Sequence, residues 1–361
     1  MREISLRRLV AGPPAERDRV ALLSLWQRGH NNPRYAELLP RLGRLDTCLL
    51  RLPEQRLLRG AGYRAFRASM RPFYDIALGR ASDRYTSLLS LDFRQLRSWH
   101  GPAVMDVDDP FFEDWDVEAL KLPSLKAYVV TAARAGRRYE SLGVEKPWVV
   151  IPQGVNLKAA TPELRAEYAA QRRPGEPVVG WMAAHLLTEG DRGADGPLYN
   201  VDHLLDLWEE LRGRVERARL WLVGGASDRL RRRLEGRDDI LLFGRLPRDR
   251  ALAAASCFDV AVYARTKDTG IQAAKVAEFM GFGVPTVSYD YEVTEHLRET
   301  GAGILVPDAR AFVDALERLL TDEPARAAVG EAALEAGAML DWDVLAGRFG
   351  TEVLDRFLPP V

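Results

Sequence analysis

The stretch from Val262 to Asp290 carries side chains that are well suited to bind an anion. Lys275 and Glu278 stand three residues apart on a predicted helix, and Arg265 and Lys267 precede that helix in a polar loop. Cations near the amino end of a helix favour a diphosphate group, and a carboxylate one turn further along can bind a pair of ribose hydroxyls. The alternative is an ordinary strand–helix unit with a solvated lysine–glutamate pair, and this motif alone leaves both open.

The elements that position these side chains follow from the same stretch. Two short runs, DVAVYA and PTVSYD, predict strands on either side of the helix because they are rich in β-branched and aromatic residues. The pair Thr269 and Gly270 predicts the start of the helix, and the Gly281 turn before Pro285 predicts its end. The first helical amides, from Thr269 to Gln272, would then point at an anion above the sheet.

A second group of side chains is suited to acid–base chemistry. Asp106, Asp108 and Asp109 follow one predicted strand, and His30 follows another, so all four are expected at the carboxyl ends of parallel strands. A side chain there could act as the general base that an inverting transfer requires. The alternatives are helix capping before Pro110 for the acidic cluster and a loop histidine bound to backbone for His30. No accompanying ligand spacing supports a metal site, so none is predicted.

Length and composition restrict the class of protein. At 361 residues the chain is long enough for two domains of ordinary size, and its 47% hydrophobic and 29% charged residues predict a soluble folded protein. A formal net charge of −1 argues against a nucleic-acid binder. Cys48 and Cys257 stand in apolar contexts and are expected to be buried thiols. There is neither an apolar run of about 18–20 residues nor a signal-peptide pattern, so a cytoplasmic protein is expected.

Positive charge is concentrated between Arg41 and Arg97, and within that region residues 56–73 interleave arginines with leucine, aromatic and methionine side chains. One interpretation is a basic amphipathic surface that contacts an anionic membrane peripherally, at its inner face, or a lipid-phosphate acceptor. The other, which we favour from the pattern, is a core-facing helix whose arginines extend outward into solvent.

The order of the predicted elements indicates an α/β fold. Strands alternate with helices through both halves of the chain, as in mostly parallel, helix-covered sheets. Two Rossmann-like, doubly wound domains facing a cleft are therefore predicted, with ligands at the carboxyl ends of the strands. The predicted boundaries are 1–158 for the N-terminal domain, with the last helix at 343–361 packing back on it, and 175–342 for the C-terminal domain. Besides the two strands above, the predicted strands are Val20–Trp26, Leu45–Leu52, Thr86–Phe93, Ala103–Asp106, Tyr128–Thr131, Trp148–Ile151, Val178–Trp181, Arg219–Val223, Ile240–Phe243 and Ile304–Val306.

Four segments in order resemble a known family. They are WVVIPQGVN (Trp148–Asn156), LWLVGG (Leu220–Gly225), ILLFGRLPRDRALAAASCFDVAVYA (Ile240–Ala264) and KVAEFMGFGVPTV (Lys275–Val287). Their order and spacing resemble those of retaining glycosyltransferases of the GT-B fold, most closely the family-four, or group 1, enzymes.

The resemblance implies a nucleotide-sugar co-substrate, UDP- or GDP-linked, held mainly by the C-terminal domain. It implies an acceptor that is a glycan, a lipid-linked molecule or a small molecule, held mainly by the N-terminal domain. It implies transfer with neither an essential metal nor a tightly bound cofactor, in polysaccharide or natural-product biosynthesis. The matching residues are Glu278 for the ribose, Lys275 for the diphosphate, the Gly244–Arg245 turn for the base, and Gly224 with Gly225 for the wall of the nucleotide site.

This chain departs from the family pattern at two places. Many relatives carry a sugar-contacting glutamate where this chain has Gly270, with Asp268 as the nearest carboxylate. Loop 183–199 lacks the arginine–lysine pair that commonly holds the diphosphate, so Arg265, Lys267 and Lys275 would supply that charge. Two alternatives therefore stay open: a nucleotide-sugar epimerase on the same fold, and a catalytically silent GT-B protein that binds or scaffolds.

Overall fold

The computed structural model describes residues 1–27, 33–52, 61–189, 191, 201–265, 273–291 and 294–361. The chain divides into two compact units. Unit 1 comprises Met1–Pro152 together with Trp342–Val361, and unit 2 comprises Gln153–Asp341. The last twenty residues of the chain therefore belong to the same unit as the first.

Unit 1 is built around a parallel sheet whose described strands run in the order β1-β3-β2-β4-β5-β6-β7. The strands are β1 (Arg2–Glu3), β2 (Val20–Gln27), β3 (Leu45–Leu52), β4 (Leu88–Ser90), β5 (Ala103–Val107), β6 (Leu125–Val130) and β7 (Trp148–Val150). The helices are α1 (Leu6–Ala11), α2 (Pro33–Arg41), α3 (Ala61–Ser82), α4 (Gln95–Ser98), α5 (Asp114–Leu120) and α6 (Ala133–Ser141), and α15 (Trp342–Arg348) near the end of the chain.

Both faces of this sheet are buried, because successive β2 side chains enter different cores. Val20 and Leu22 belong to a cluster that includes Trp342 and Phe349, whereas Leu23 belongs to a cluster on the other face. Helix α15 and the π-helical segment Phe349–Asp355 that follows it cover the first of these faces. Such continuous apolar strands are typical of parallel sheets with helices on both sides.

A buried ion pair joins three parts of unit 1. Arg34, the second residue of α2, donates from Nε and Nη2 to the two carboxylate oxygens of Asp106 at 3.0 and 2.9 Å. Its Nη1 also donates to the carbonyl oxygens of Ile151 and Pro152, at 3.0 and 2.9 Å. Both side chains of the pair are fully buried. Helix α2, the end of β5 and the segment after β7 are thus held together by one guanidinium group.

Unit 2 contains a second parallel sheet, with described strands in the order β10-β9-β8-β11-β12-β13. The strands are β8 (Val178–Leu186), β9 (Arg219–Ala226), β10 (Ile240–Gly244), β11 (Val260–Tyr263), β12 (Thr286–Tyr289) and β13 (Gly303–Val306). The helices are α7 (Pro162–Ala169), α8 (Asp202–Arg212), α9 (Asp228–Arg233), α10 (Arg248–Ala255), α11 (Ala274–Gly281), α12 (Glu295–Thr300), α13 (Ala309–Thr321) and α14 (Glu323–Ala338).

The predicted fold class is confirmed, and most predicted strands lie within one to three residues of the observed ones. The bounds of β3 are those predicted, whereas β4 is shorter than predicted at both ends and β8 extends five residues further. Cys48 and Cys257 are buried free thiols, as expected. No helix in the described part of the chain has the length and apolarity needed to cross a bilayer.

Two expectations about helix starts are wrong. Helix α11 begins at Ala274 rather than after Gly270, because Ala273 has an extended backbone and the buried apolar face of the helix begins there. The acidic cluster does not cap a helix before Pro110, because α5 begins only at Asp114. The Asp106 carboxylate is bound to Arg34 instead.

The predicted helix in the basic stretch is observed as α3, although part of that stretch lies outside the described residues. The last turns of α3 face the core through Ala77, Leu78 and Ala81. Phe73 and Ile76, in contrast, are exposed. The interpretation of the stretch as a core-facing helix is therefore wrong at Phe73.

We expect removal of one member of the Arg34–Asp106 pair to destabilise the protein strongly. An Arg34→Met variant leaves the Asp106 carboxylate buried and uncompensated, which should lower the free energy of unfolding by about 3–5 kcal/mol. Urea denaturation of both proteins measures the difference. An Arg80→Ala variant is the control, because the Arg80–Asp83 pair is exposed and should contribute less than about 1 kcal/mol. Equal effects of the two substitutions would contradict the role given to the buried pair.

Candidate functional site

The carboxyl ends of the unit 2 strands lie at one edge of the sheet, because its strands are parallel. Strands β8 and β9 bring His185 and Gly225 to this edge as register partners, and β10 ends there at Gly244. Strand β11 ends there at Tyr263. In open parallel sheets this edge is the usual place for a ligand.

Glu278 lies on α11 and is 3% exposed. Its Oε1 accepts a hydrogen bond at 2.6 Å from Nη2 of Arg248, the first residue of α10. The Arg248 Nε is buried and lacks a hydrogen-bond partner in the described part of the chain. A buried carboxylate held in place by one arginine keeps acceptor capacity on its other oxygen, which is the geometry needed to bind a hydroxyl group.

Lys275 lies one turn before Glu278 on α11, and it shares a neighbour with Arg265. The Lys275 Nζ is 6.0 Å and the Arg265 Cζ is 5.0 Å from the centre of the Tyr263 ring. Burial, together with the Arg265 guanidinium, lowers the pKa of Lys275 to about 8, although Glu278 opposes this change. Two cations held near each other with little solvent favour binding of an anion, and strongly perturbed pKa values cluster at functional sites.

The ends of β8, β9 and β10 also approach one another closely. A Cβ atom placed on Gly225 would lie 3.7 Å from His185 Nδ1 and 3.8 Å from Arg245 Cβ. At Gly224 a Cβ atom would collide with the Ala183 carbonyl oxygen, and its φ of 156° also favours glycine. The structure therefore brings Arg245 and Gly225 of the predicted Gly224–Gly225 pair next to His185, which belongs to β8 although the sequence predicted a loop from residue 183.

Helix α11 is positioned by tight packing at its end. A Cβ atom on Gly281 would lie 2.5 Å from Val155 Cγ1 and 2.8 Å from a methyl carbon of Leu157. On its apolar face, Val276 and Met280 are buried in the core. This close contact fixes the position of α11 and therefore the position of its polar side chains.

Asp109 belongs to unit 1, at the end of β5. It lines a pocket of about 530 Å³ together with Asp108 and Trp115. Loss of solvent around its carboxyl group, and secondarily the Asp108 carboxylate, raise the pKa of Asp109 to about 6, although the residue as a whole is exposed. Asp106, at the same strand end, is bound to Arg34 through both of its carboxylate oxygens.

Five predicted site residues lie outside the described residues, and their roles stay predictions: His30, Lys267, Thr269, Gly270 and Gln272. Within the described ranges no three His, Cys, Asp or Glu side chains are placed to hold a metal ion.

Two arginines that bind site carboxylates, Arg248 in unit 2 and Arg34 in unit 1, were not identified from the sequence. Arg248 is one residue past Pro247, at a helix start, and only its distance from Glu278 in space reveals the pair. Arg34 is the second residue of α2, but its partner Asp106 is 72 residues away. A cation at the start of a helix is unfavourable for the helix dipole, and this was the available signal in both cases.

Comparison with known proteins supports the fold. Residues 193–322 match the family described as "Glycosyl transferases group 1". Comparison with curated protein sequences returns no match. HepE from Anabaena, solved in complex with UDP-glucose, is 13% identical with a TM-score of 0.67, covering 93% of this chain and 99% of that one.

Two further solved structures are similar. Sucrose-phosphate synthase from Thermosynechococcus elongatus is 16% identical with a TM-score of 0.62. WaaG, a glycosyltransferase involved in lipopolysaccharide biosynthesis, is 12% identical with a TM-score of 0.61. In each case 94% of this chain and 99% of the other are covered. Identities this low show the fold alone, which is GT-B.

The buried charge of Lys275 should reduce stability at neutral pH. Its pKa of about 8 lies below the ordinary value of about 10.4, so the unfolded chain binds more protons between these two pH values. The free energy of unfolding should therefore rise with pH over that window. A Lys275→Met variant should be more stable than wild type by about 1–3 kcal/mol at pH 7, allowing for partial solvent screening, with a smaller difference at pH 10.

Urea denaturation at the two pH values measures this effect. Lys126→Met is the control, because Lys126 is exposed and its replacement should change stability by less than about 0.5 kcal/mol. A Lys275→Met variant that is no more stable than wild type at pH 7 would contradict the desolvation of Lys275.

Proposed function

We propose that this chain is a group 1 glycosyltransferase that transfers a sugar from a nucleotide-diphosphate donor to an acceptor hydroxyl, with retention of configuration and without a metal. Unit 2 holds the donor and unit 1 holds the acceptor. The protein works in the cytoplasm. The observation that carries the proposal is the pairing of a buried carboxylate, Glu278, with a desolvated cation, Lys275, on one helix at the carboxyl edge of the unit 2 sheet.

The chemistry of that edge fits a nucleoside diphosphate. The second oxygen of Glu278 is available to accept hydrogen bonds from two adjacent ribose hydroxyls, while the hydrogen bond from Arg248 keeps the carboxylate oriented. Lys275 and Arg265 supply positive charge for the diphosphate. Space for the base is left by the Gly244–Arg245 turn and the Gly224–Gly225 pair. Three of these four residues are glycines and have no Cβ atom.

The HepE structures support a UDP-linked donor as the first to test. They contain UDP-glucose, UDP with glucose, or UDP alone. The TM-score of the UDP complex against this chain is 0.71 at 14% identity. A GDP-linked donor is the second to test.

The mechanism depends on the leaving group. As the glycosidic bond breaks, negative charge grows on the departing diphosphate, and fixed cations that face it stabilise the transition state most. Lys275 and Arg265 have this role in the proposal, together with Lys267. Each such contact contributes about 2–4 kcal/mol to lowering the barrier.

The acceptor's proton need not go to the protein. In a front-face, retaining transfer the leaving phosphate oxygen accepts it, so no dedicated base is required. Asp109 and His30 are the base candidates if the reaction inverts. Asp109 fits that role because its pKa is about 6, and a general base is most effective when its pKa is close to the pH at which the enzyme works.

Peripheral contact with an anionic membrane, through residues 56–73, is a further part of the proposal. Phe73 is exposed on α3, and Ile76 lies beside it one turn further on. Apolar side chains next to arginines suit the boundary between headgroups and acyl chains. An acceptor anchored in a lipid would be reached in this way.

We expect Glu278 to recognise the ribose 2′-hydroxyl. The nucleotide used is UDP, or GDP if that is the one that raises the Tm. Wild type should bind it about tenfold to a hundredfold more tightly than its 2′-deoxy form, because a hydrogen bond to a charged group contributes about 1.5–3 kcal/mol. A Glu278→Ala variant should bind both forms equally weakly. Lys275→Ala should weaken both forms while keeping the preference. Isothermal titration calorimetry measures all six affinities.

Glu335→Ala is the matched control, because Glu335 is an exposed carboxylate on α14 of the same unit, and it should bind like wild type. Full discrimination between ribose and deoxyribose in Glu278→Ala would refute the assignment of Glu278. If no UDP-, GDP- or other nucleotide sugar raises the Tm of the wild-type protein, the proposed function itself is wrong.

We expect the product to keep the anomeric configuration of the donor sugar. Proton NMR of the product at early times distinguishes the two configurations through the anomeric coupling constant. An Asp109→Asn variant should then lower kcat by less than about tenfold. Inversion together with a loss of about 10²-fold or more in kcat would instead identify Asp109 as a general base and overturn the retaining mechanism.

A further inference from the structure

The pocket that contains Asp109 has a mixed aromatic and acidic lining. It has a volume of about 530 Å³ and lies within unit 1, beyond the carboxyl ends of β4 and β5. Its lining includes Tyr35, Asp92, Arg94, Asp109, Phe111 and Trp115.

Two aromatic rings in this pocket are exposed next to each other. Phe111 is 57% and Trp115 is 45% exposed, and their ring centres are 5.2 Å apart. The buried Phe93 ring packs edge-on against the Trp115 indole, with 5.4 Å between the ring centres, and so holds the indole in place. Neighbouring exposed aromatic side chains leave a continuous apolar surface in contact with water, and such surfaces mark binding sites.

The backbone before α5 is built to present Phe111. The buried Asp116 carboxylate accepts hydrogen bonds from the amides of Phe111 and Phe112, at 3.1 and 3.0 Å, and from the Tyr139 hydroxyl at 2.6 Å. Phe112 has a φ of 60°, a conformation that is costly for a bulky residue. Its ring turns inward against Tyr139 and beneath the Arg138 guanidinium, which leaves Phe111 to turn outward. Backbone strain held by buried hydrogen bonds is typical of functional loops.

The charges of the pocket are unbalanced in favour of acid. Arg94 forms a two-point ion pair with Asp92, at 2.9 and 2.7 Å, and Arg34 neutralises Asp106. Asp109 forms neither a hydrogen bond nor an ion pair with the described residues, and Asp108 lies beside it. A phosphorylated or carboxylated ligand would meet like charge here, whereas hydroxyl or ammonium groups would find an acceptor.

We propose that this pocket binds the pyranose ring of the acceptor, and that the acceptor is a neutral or amino sugar. The C–H face of the ring stacks on Trp115 and Phe111, and its hydroxyl groups donate to Asp109. The inference rests on the proposed function, since it names the acceptor class of that reaction. A sugar phosphate and a lipid headgroup are excluded as occupants by the acidic lining.

Saturation-transfer difference NMR of the full-length protein tests the proposal. The probes are methyl glucopyranoside, methyl 2-amino-2-deoxyglucopyranoside and glucose 6-phosphate, and vesicles of phosphatidylglycerol are tested by co-sedimentation. We expect binding of the first two sugars, with the strongest transfer to ring C–H protons, and about a tenfold loss of affinity in Trp115→Ala and Phe111→Ala. Trp115→Phe should restore most of it, and Asp109→Asn should weaken the amino sugar most.

Leu142→Ala is the control, because Leu142 is an exposed apolar residue of the same unit that does not line the pocket, and it should bind the sugars like wild type. A Trp115→Ala variant with wild-type sugar affinity would overturn the proposal. So would tighter binding of glucose 6-phosphate than of the neutral sugar, or Trp115-dependent binding of vesicles.

The Tm of each variant with and without UDP and GDP separates this inference from the proposed function. Failure of wild type to bind any nucleotide would count against the proposed function, whatever the sugars do. Normal nucleotide binding with no Trp115-dependent sugar binding would count against the acceptor pocket alone.

Discussion

Arg34 and Asp106 place opposite charges in the interior of unit 1, where either charge alone would be strongly unfavourable. The pair satisfies both carboxylate oxygens, and the remaining guanidinium nitrogen binds two main-chain carbonyl oxygens. The carboxyl end of β5 is therefore fixed relative to α2 and to the segment after β7. Asp108 and Asp109 follow directly, so the geometry of the acidic pocket depends on this buried pair.

The edge of the unit 2 sheet follows the opposite principle. Lys275 and Arg265 lie near each other around Tyr263, and burial together with the Arg265 charge lowers the pKa of Lys275 to about 8. Glu278 is stabilised by Arg248, so its carboxylate keeps its orientation in the absence of a ligand. Unit 1 thus satisfies its buried charges internally, whereas unit 2 brings two cationic side chains to one aromatic ring at the edge of its sheet.

The sequence allowed prediction of those features that depend on local pattern. The strand at β3 and the joint presence of Lys275 and Glu278 on α11 both follow from apolar periodicity and turn residues within about fifteen positions. The start of α11 was misjudged because a Thr–Gly pair resembles a cap, whereas the buried face begins at Ala273.

Contacts between distant parts of the chain could not be predicted in this way. The Arg34–Asp106 and Arg248–Glu278 pairs join residues 72 and 30 positions apart, and no periodicity links their partners. The aromatic pocket was also missed, because Phe111 and Trp115 resemble core residues in sequence. The backbone of Phe112, with a φ of 60°, turns its ring inward and leaves Phe111 exposed, and the sequence pattern does not reveal that conformation.

The return of Trp342–Val361 to unit 1 has a consequence for the order of events during synthesis. Trp342 and Phe349 complete one face of the first sheet, and they are synthesised after every residue of unit 2. Unit 2 is a single continuous segment, so all of its residues are available before unit 1 has its full core. The unit whose synthesis begins first is therefore the one whose folding finishes last, and until then an uncovered apolar sheet face is exposed to the cell's chaperones.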